Sequence, residues 1–311
     1  MRLNLSIITP HWEFLLGNCA NIFIIIVNAI DYVKRRKISS ADRIITALVI
    51  SRIGLLWAMS MSLHSAVCTA NTCHVQIRVL SHVTWTVSNH FSNWFGTILS
   101  MFYLLKIANF YNPLFLHLKR KTENVILVIF WGNFLLFVWC LGVVNINKIA
   151  LVSNYEGNAT LKNNLKDFIG LANIHLFGLI NTIPFCISLT CVLLLIYSLG
   201  KHLRIMKFHG KGCQDPSTTV HIKALQTLVS FLLLYATYSL CVIISSWSSL
   251  NAPVFLLSIT IGAVYPTGHS IILIWGNQKL KQASLSVLWW LKSCFGCLCR
   301  FPHCDLNAPC S

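Results

Sequence analysis

Trp85, Asn89 and Asn93 follow one another at intervals of four residues, so on a helix they share one face. An indole offers a large flat apolar surface, and a carboxamide both donates and accepts hydrogen bonds. That combination suits non-covalent recognition of small molecules with few polar groups. The same residues have a second use, in which Asn89 and Asn93 bond neighbouring helices and Trp85 anchors at a membrane interface. On the residues alone the packing role is the stronger reading. The other centre is Arg52, a charge inside an apolar run. At mid-membrane such a charge costs on the order of 2.5–3.5 kcal/mol, so its guanidinium is expected to face inward and find acceptors. The amides Asn21 and Asn28 and the pair His269-Ser270 are available for this. The rival is an arginine whose head snorkels to the inner surface.

Catalytic chemistry has no comparable foothold. There is no His pair at helical zinc spacing, no nucleophile elbow, no phosphate-binding loop and no intramembrane carboxylate pair. No enzymatic role, cofactor or metal is therefore expected. The thirteen cysteines include a cluster at Cys294, Cys297, Cys299, Cys304 and Cys310. Its spacing is too irregular for a zinc site, and lipidation beside the membrane is the better functional reading. Cys68 and Cys73 are left either to pair locally or to stay as free thiols.

Positioning these groups falls to seven apolar segments, expected at 14–33, 44–66, 83–105, 125–146, 176–198, 225–250 and 253–275. Each has the roughly 20 residues that a helix needs to cross a hydrocarbon core of about 30 Å. The chain is 56% hydrophobic and 10% charged, far from a soluble composition. The net charge of +16 could suggest nucleic acid, but 18 of the 24 Lys and Arg lie in 34–43, 106–124, 199–224 and the segment after 275. Such alternation marks the cytoplasmic side, with a lesser role at an anionic leaflet. The expected architecture is an all-α membrane protein, a seven-helix bundle over 1–275 with a cytoplasmic tail over 276–311 and the N-terminus outside. The sequon at Asn158 falls in a connection that the charge rule also places outside. A cleavable signal peptide is not expected; the first span acts as its own insertion signal. A bundle with so little outer surface must admit a small molecule between its helices. A small-solute transporter is the rival class, disfavoured because only Arg52 is charged at mid-membrane.

Blocks along the whole chain resemble bitter taste receptors, the type 2 taste family of G protein-coupled receptors. They include Lys37-Ile38-Ser39-Ser40-Ala41-Asp42-Arg43 continuing to Ser51-Arg52-Ile53-Gly54-Leu55-Leu56-Trp57, and Asn89-His90-Phe91-Ser92-Asn93-Trp94 with Phe102-Tyr103-Leu104-Leu105-Lys106. Further blocks are Pro184-Phe185, Ser198-Leu199-Gly200-Lys201-His202-Leu203, Asp215-Pro216-Ser217-Thr218, Ser230-Phe231-Leu232-Leu233-Leu234-Tyr235-Ala236 and Tyr265-Pro266 with His269-Ser270. The third segment ends in Phe102-Tyr103-Leu104 where rhodopsin-like receptors carry an acid before Arg-Tyr, and 147–175 has no cysteine. A pheromone-type receptor of similar size is the rival within the receptor class.

The resemblance implies detection of bitter small molecules in a cavity within the outer half of the bundle, at the plasma membrane. It implies a gustducin-type heterotrimeric G protein as partner, with phospholipase C and calcium release downstream. Carried onto this chain, Trp85 and Asn89 match positions that the family uses in its ligand cavity, with Asn93 on the same face. Tyr238 occupies the position of an aromatic switch, with an ordinary core tyrosine as the rival reading. Ser62 and Ile259 stand where some members present Asn and an acidic or polar group. An apolar Ile259 supplies no counter-charge, so neutral, partly apolar ligands are expected over strong amines. For gating and G-protein contact the expected residues are Arg52, Tyr103, Lys106, His202, His269 and Ser270, with Lys207 and 276–285 as lesser candidates.

Overall fold

The computed structural model describes residues 3–36, 38–67, 73–153, 181–201, 204, 216–247 and 252–298. Asn158, His202, Lys207, Cys68 and the tail beyond 298 lie outside the described residues. Every element among the described residues is a helix. In chain order they are α1 (Leu3–Arg35), α2 (Ser40–Val67), α3 (Cys73–Ile107), α4 (Pro113–Arg120), α5 (Thr122–Ser153), α6 (Asn181–Lys201), α7 (Pro216–Trp247), α8 (Ala252–Gly276) and α9 (Gln278–Leu298).

Six of these helices are long and apolar enough to cross a membrane, in α1, α2, α5, α6, α7 and α8. The remaining expected span, 83–105, falls inside α3. At 35 residues this helix is about 50 Å long, ample for a crossing, but its apolar run is interrupted by polar side chains. Ser81, Ser88, Asn89, His90, Ser92, Asn93, Thr97 and Ser100 are all buried. The polarity that sets α3 apart from the other six is turned into the bundle. Outward faces are apolar instead: Leu127, Val128, Trp131, Leu135 and Trp139 project from α5, and Leu233 and Leu240 from α7. Such a surface is suited to lipid and not to water.

The interior divides into two apolar layers. One joins Leu55, Met59, Leu195, Phe231, Tyr235, Tyr238 and Tyr265; the other joins Ile24, Ile45, Leu48, Ile98, Leu99, Phe102 and Leu273. Helix α2 packs on α3, α7 on α8, and α1 on both α2 and α8. Close approach of α3 to α7 depends on Gly96. A Cβ there would stand 2.6 Å from two atoms of the Phe231 ring, so a hydrogen at this position lets the ring lie directly on the α3 backbone.

At the basic end, Asn112 caps α4 by accepting from the Leu114 N–H at 2.9 Å, and Pro113 begins the helix without losing an intrahelical bond. Lys119 donates to the Ala108 carbonyl at 2.8 Å and to Asn109 Oδ1 at 2.7 Å. Its ammonium thus satisfies carbonyls at the C-terminus of α3, where positive charge is favoured. Partial burial there, with the Lys106 charge nearby, lowers the Lys119 pKa.

Candidate functional site

Helices α2 and α7 end, and α3 and α8 begin, around a cavity of about 330 Å³, near the lower limit of roughly 300 Å³ for ligand sites. Its wall includes Trp85, Ser62, Tyr238 and Ile259, four residues singled out from the sequence. Met59, Cys241, Phe255 and Gly262 give most of the remaining surface an apolar character, and Ser81, His82, Ser245 and Ser258 add polar points. The cavity lies at the end of the bundle opposite the basic connections.

Asn89 and Asn93 do not line this wall. They sit one layer beneath it, 2% and 1% exposed. The Trp85 Nε1–H donates to the Tyr238 hydroxyl at 3.1 Å, and that hydroxyl donates to Asn89 Oδ1 at 2.9 Å. Asn93 Nδ2 donates to Asn89 Oδ1 at 3.2 Å, and both amides donate to Asn181 Oδ1 at 2.9 Å. The Asn181 carbonyl accepts from the Tyr235 hydroxyl at 2.7 Å. One residue at the start of α6 therefore collects bonds from α3 at its side-chain oxygen and from α7 at its backbone carbonyl. Burial without partners would cost each such group about 1–3 kcal/mol, so the cluster fixes the relative positions of three helices.

Beneath the amides the path continues through stacked rings. Tyr265 donates to Asn93 Oδ1 at 3.3 Å and stacks on Tyr238 with centroids 5.0 Å apart. The Arg52 guanidinium lies 5.3 Å from the centroid of the Tyr265 ring, within cation–π range.

Arg52 is fully buried, so the snorkelling alternative does not hold. Its Nη2 bonds to His269 Nδ1, and its Nη1 donates to Ser270 Oγ at 3.3 Å. Since guanidinium can only donate, His269 accepts at Nδ1 and carries its own proton at Nε2. Ser270 Oγ lies 2.6 Å from Asn21 Oδ1 and 2.8 Å from the Pro266 carbonyl, tying α1 into the cluster. Of the expected acceptors, His269 and Ser270 meet Arg52 directly and Asn21 joins through Ser270. Asn28 is used elsewhere: it donates to Thr46 Oγ1 at 2.9 Å and accepts from Lys279 Nζ at 2.8 Å. Lys279 also pairs with Asp42 at 2.9 Å and Asp31 at 3.4 Å, fastening the start of α9 to α1 and α2.

Tyr103 is half-buried between the two apolar layers, and the neighbouring Lys106 is exposed with its ammonium 5.8 Å from the Phe102 centroid. Sequence reasoning overlooked Tyr265, Tyr235, Asn181 and His82 as site residues. Tyr265 was within reach, because it stands four residues before His269 and so shares its face. Asn181 offered only a lone amide, and its role depends on contacts across the chain.

Comparison with known proteins is decisive about kinship. A family model described as Taste receptor protein (TAS2R) matches residues 2–292. "Taste receptor type 2 member 120" of Mus musculus is 68% identical over 276 residues, covering 89% of this chain and 94% of the mouse protein. The Rattus norvegicus protein of the same name is 67% identical over 280 residues, covering 90% and 95%. "Taste receptor type 2 member 46" of Homo sapiens is 51% identical over 286 residues, covering 90% and 93%. With a membrane-type helical bundle and matches across almost its full length, the chain belongs to the type 2 taste receptor family.

Proposed function

We propose that this type 2 taste receptor, a G protein-coupled receptor of bitter taste, takes its agonist in the cavity between α2, α3, α7 and α8. Trp85, Ser62, Tyr238 and Ile259 form the contact wall. The observation that carries this reading is the unbroken polar and aromatic path from that wall to the buried arginine: Trp85, Tyr238, Asn89, Asn93, Tyr265, Arg52, then His269 and Ser270. A ligand that displaces the Tyr238 ring disturbs a bond to Asn89 and a stack on Tyr265 at once. Ligands shift such an equilibrium only by binding one arrangement better than the other, and Tyr238 is both wall and first link. Among the described residues Arg52 Nε, Asn21 Nδ2 and His269 Nε2 hold no partner, which leaves the lower cluster a second set of bonds to adopt.

In this reading α3 is the seventh span. The basic connections and α9 face the cytoplasm, the N-terminus is outside, and Asn158 carries glycan at the plasma membrane. Residues 1–275 act as one bundle with 276–311 as its tail. Tyr103 and Lys106 lie at the end where a gustducin-type G protein docks, with phospholipase C and calcium release downstream. The test is a calcium assay in cells expressing the chain with that G protein and a varied panel of bitter compounds. Agonist-driven calcium release without solute flux supports the receptor reading. Solute uptake without G-protein dependence contradicts it.

A further inference from the structure

All but one of the polar residues in the cavity wall are already engaged within the protein. The Trp85 Nε1–H is spent on Tyr238, and the Tyr238 hydroxyl on Asn89. Ser62 and Ser245 give their protons to the Ala58 and Val242 carbonyls of their own helices, at 2.9 Å each, and Ser81 and His82 hold interactions of their own as well. Ser258 is the exception. It lines the cavity and is only 6% exposed, yet among the described residues its hydroxyl has no partner. Thr260, two residues further along α8, does what a helical hydroxyl ordinarily does and donates to the Leu256 carbonyl at 2.9 Å. A buried serine that leaves its own backbone alone depends on the contents of the cavity for a bond. Gly262, one turn further along α8, also lines the wall and would bring a Cβ to 3.6 Å from the Tyr238 ring. Ser258 therefore stands about 6 Å along the axis from that ring, toward the start of α8.

We infer that Ser258 is a specificity-determining residue that donates to the carbonyl oxygen of neutral aromatic ketones, so that this chain prefers such ketones to counterparts carrying CH2 in place of C=O. This rests on the cavity being the agonist site, as proposed above, and adds the ligand class and the residue that selects it. The ligand's rings lie against Trp85 and Tyr238, and its carbonyl, one turn along α8, accepts from the Ser258 hydroxyl. A carbonyl buried without a donor loses its hydration without return, and an uncommitted hydroxyl removes that loss. No Asp, Glu, Lys or Arg contributes to the wall among the described residues, so a charged ligand gains no ion pair there and a neutral acceptor is favoured. A ligand N–H or O–H discriminates less, because the Ser245 oxygen keeps a lone pair for it in addition to that of Ser258.

The test uses matched pairs, 4-chromanone with chroman, 1-tetralone with tetralin and flavanone with flavan, in the calcium assay with surface expression measured. The wild-type chain should respond to each ketone at lower concentration than to its counterpart. In Ser258→Ala the ketone-to-counterpart ratio of half-maximal concentrations should rise about fivefold, the net worth of one neutral hydrogen bond. Ser258→Cys, close in size but a weak donor, should match it and decides the matter if the alanine variant fails to reach the surface; Ser258→Thr keeps the hydroxyl and should restore the ratio. A ratio unchanged in both Ser258→Ala and Ser258→Cys overturns the inference, and if Trp85→Ala still shifts both members of each pair, the cavity reading stands without it. Response to other bitter compounds but to no ketone also overturns the inference. Silence of the wild-type chain toward every compound, with the chain at the surface, overturns the receptor reading itself.

Discussion

The Tyr238 hydroxyl lies 2.9 Å from Asn89 Oδ1, joining the cavity wall on α7 to the buried amide layer on α3. Deleting that oxygen tests whether the junction transmits binding. Tyr238→Phe keeps the ring that stacks on Tyr265 at 5.0 Å but strips the Trp85 N–H of its partner. Leaving such a group unpaired costs about 1–3 kcal/mol. The expected outcome is a fall of at least about tenfold in agonist potency at unchanged surface expression, read as calcium release; one tenfold step corresponds to about 1.4 kcal/mol.

Arg52→Lys keeps the charge but loses the planar fork. A guanidinium reaches His269 and Ser270 together while lying over Tyr265, and an ammonium on a shorter stem has no such geometry. Surface expression is expected to drop because a buried cation is left with too few acceptors. Flow cytometry on an N-terminal epitope tag measures this, and equal staining of variant and wild type contradicts it.

Gly96→Ala probes packing alone. The new methyl meets the Phe231 ring at 2.6 Å, and a well-packed interior resists such an insertion by typically 1–3 kcal/mol. Lower yield and a lower melting temperature in detergent are expected, with partial recovery in Gly96→Ala/Phe231→Leu. Failure of the second change to help places the strain elsewhere.

Ile259→Glu adds a carboxylate to a wall that has none among the described residues. The wild-type chain is expected to favour neutral, partly apolar agonists over strong amines, and the variant to gain amine responses. Comparing half-maximal concentrations for amine and neutral compounds on both chains checks this. Strong amines as the best wild-type agonists, unaltered by the substitution, exclude it.

Much of this molecule was legible in its sequence because a membrane restricts the choices. Six spans announce themselves as apolar runs, and Arg52 had to turn inward, since no lipid-facing position tolerates it. Helix α3 illustrates the limit: 83–105 is expected as an apolar span, yet α3 is left outside the six helices apolar enough to cross a membrane by the polar residues that make Asn89 and Asn93 visible as a site. Their depth could not be read. Spacing places Trp85, Asn89 and Asn93 on one face, but each successive step of four lowers the residue by about 6 Å along the axis. Only Trp85 thus reaches the cavity, and the two amides fall beneath it. Asn181 and Tyr265 were hidden for a different reason: their partners are 92 and 172 residues away in the chain, and local pattern carries no record of such pairings.

Trp85→Ala bears most directly on the central claim, because Trp85 is at once the largest wall residue on α3 and the donor to Tyr238. Dose–response curves for several agonists, normalised to surface expression, should shift by at least about tenfold for each, in keeping with the removal of a large aromatic contact worth several kcal/mol. Unchanged potency across the panel, with the variant at the cell surface, places agonist binding outside this cavity and contradicts the account.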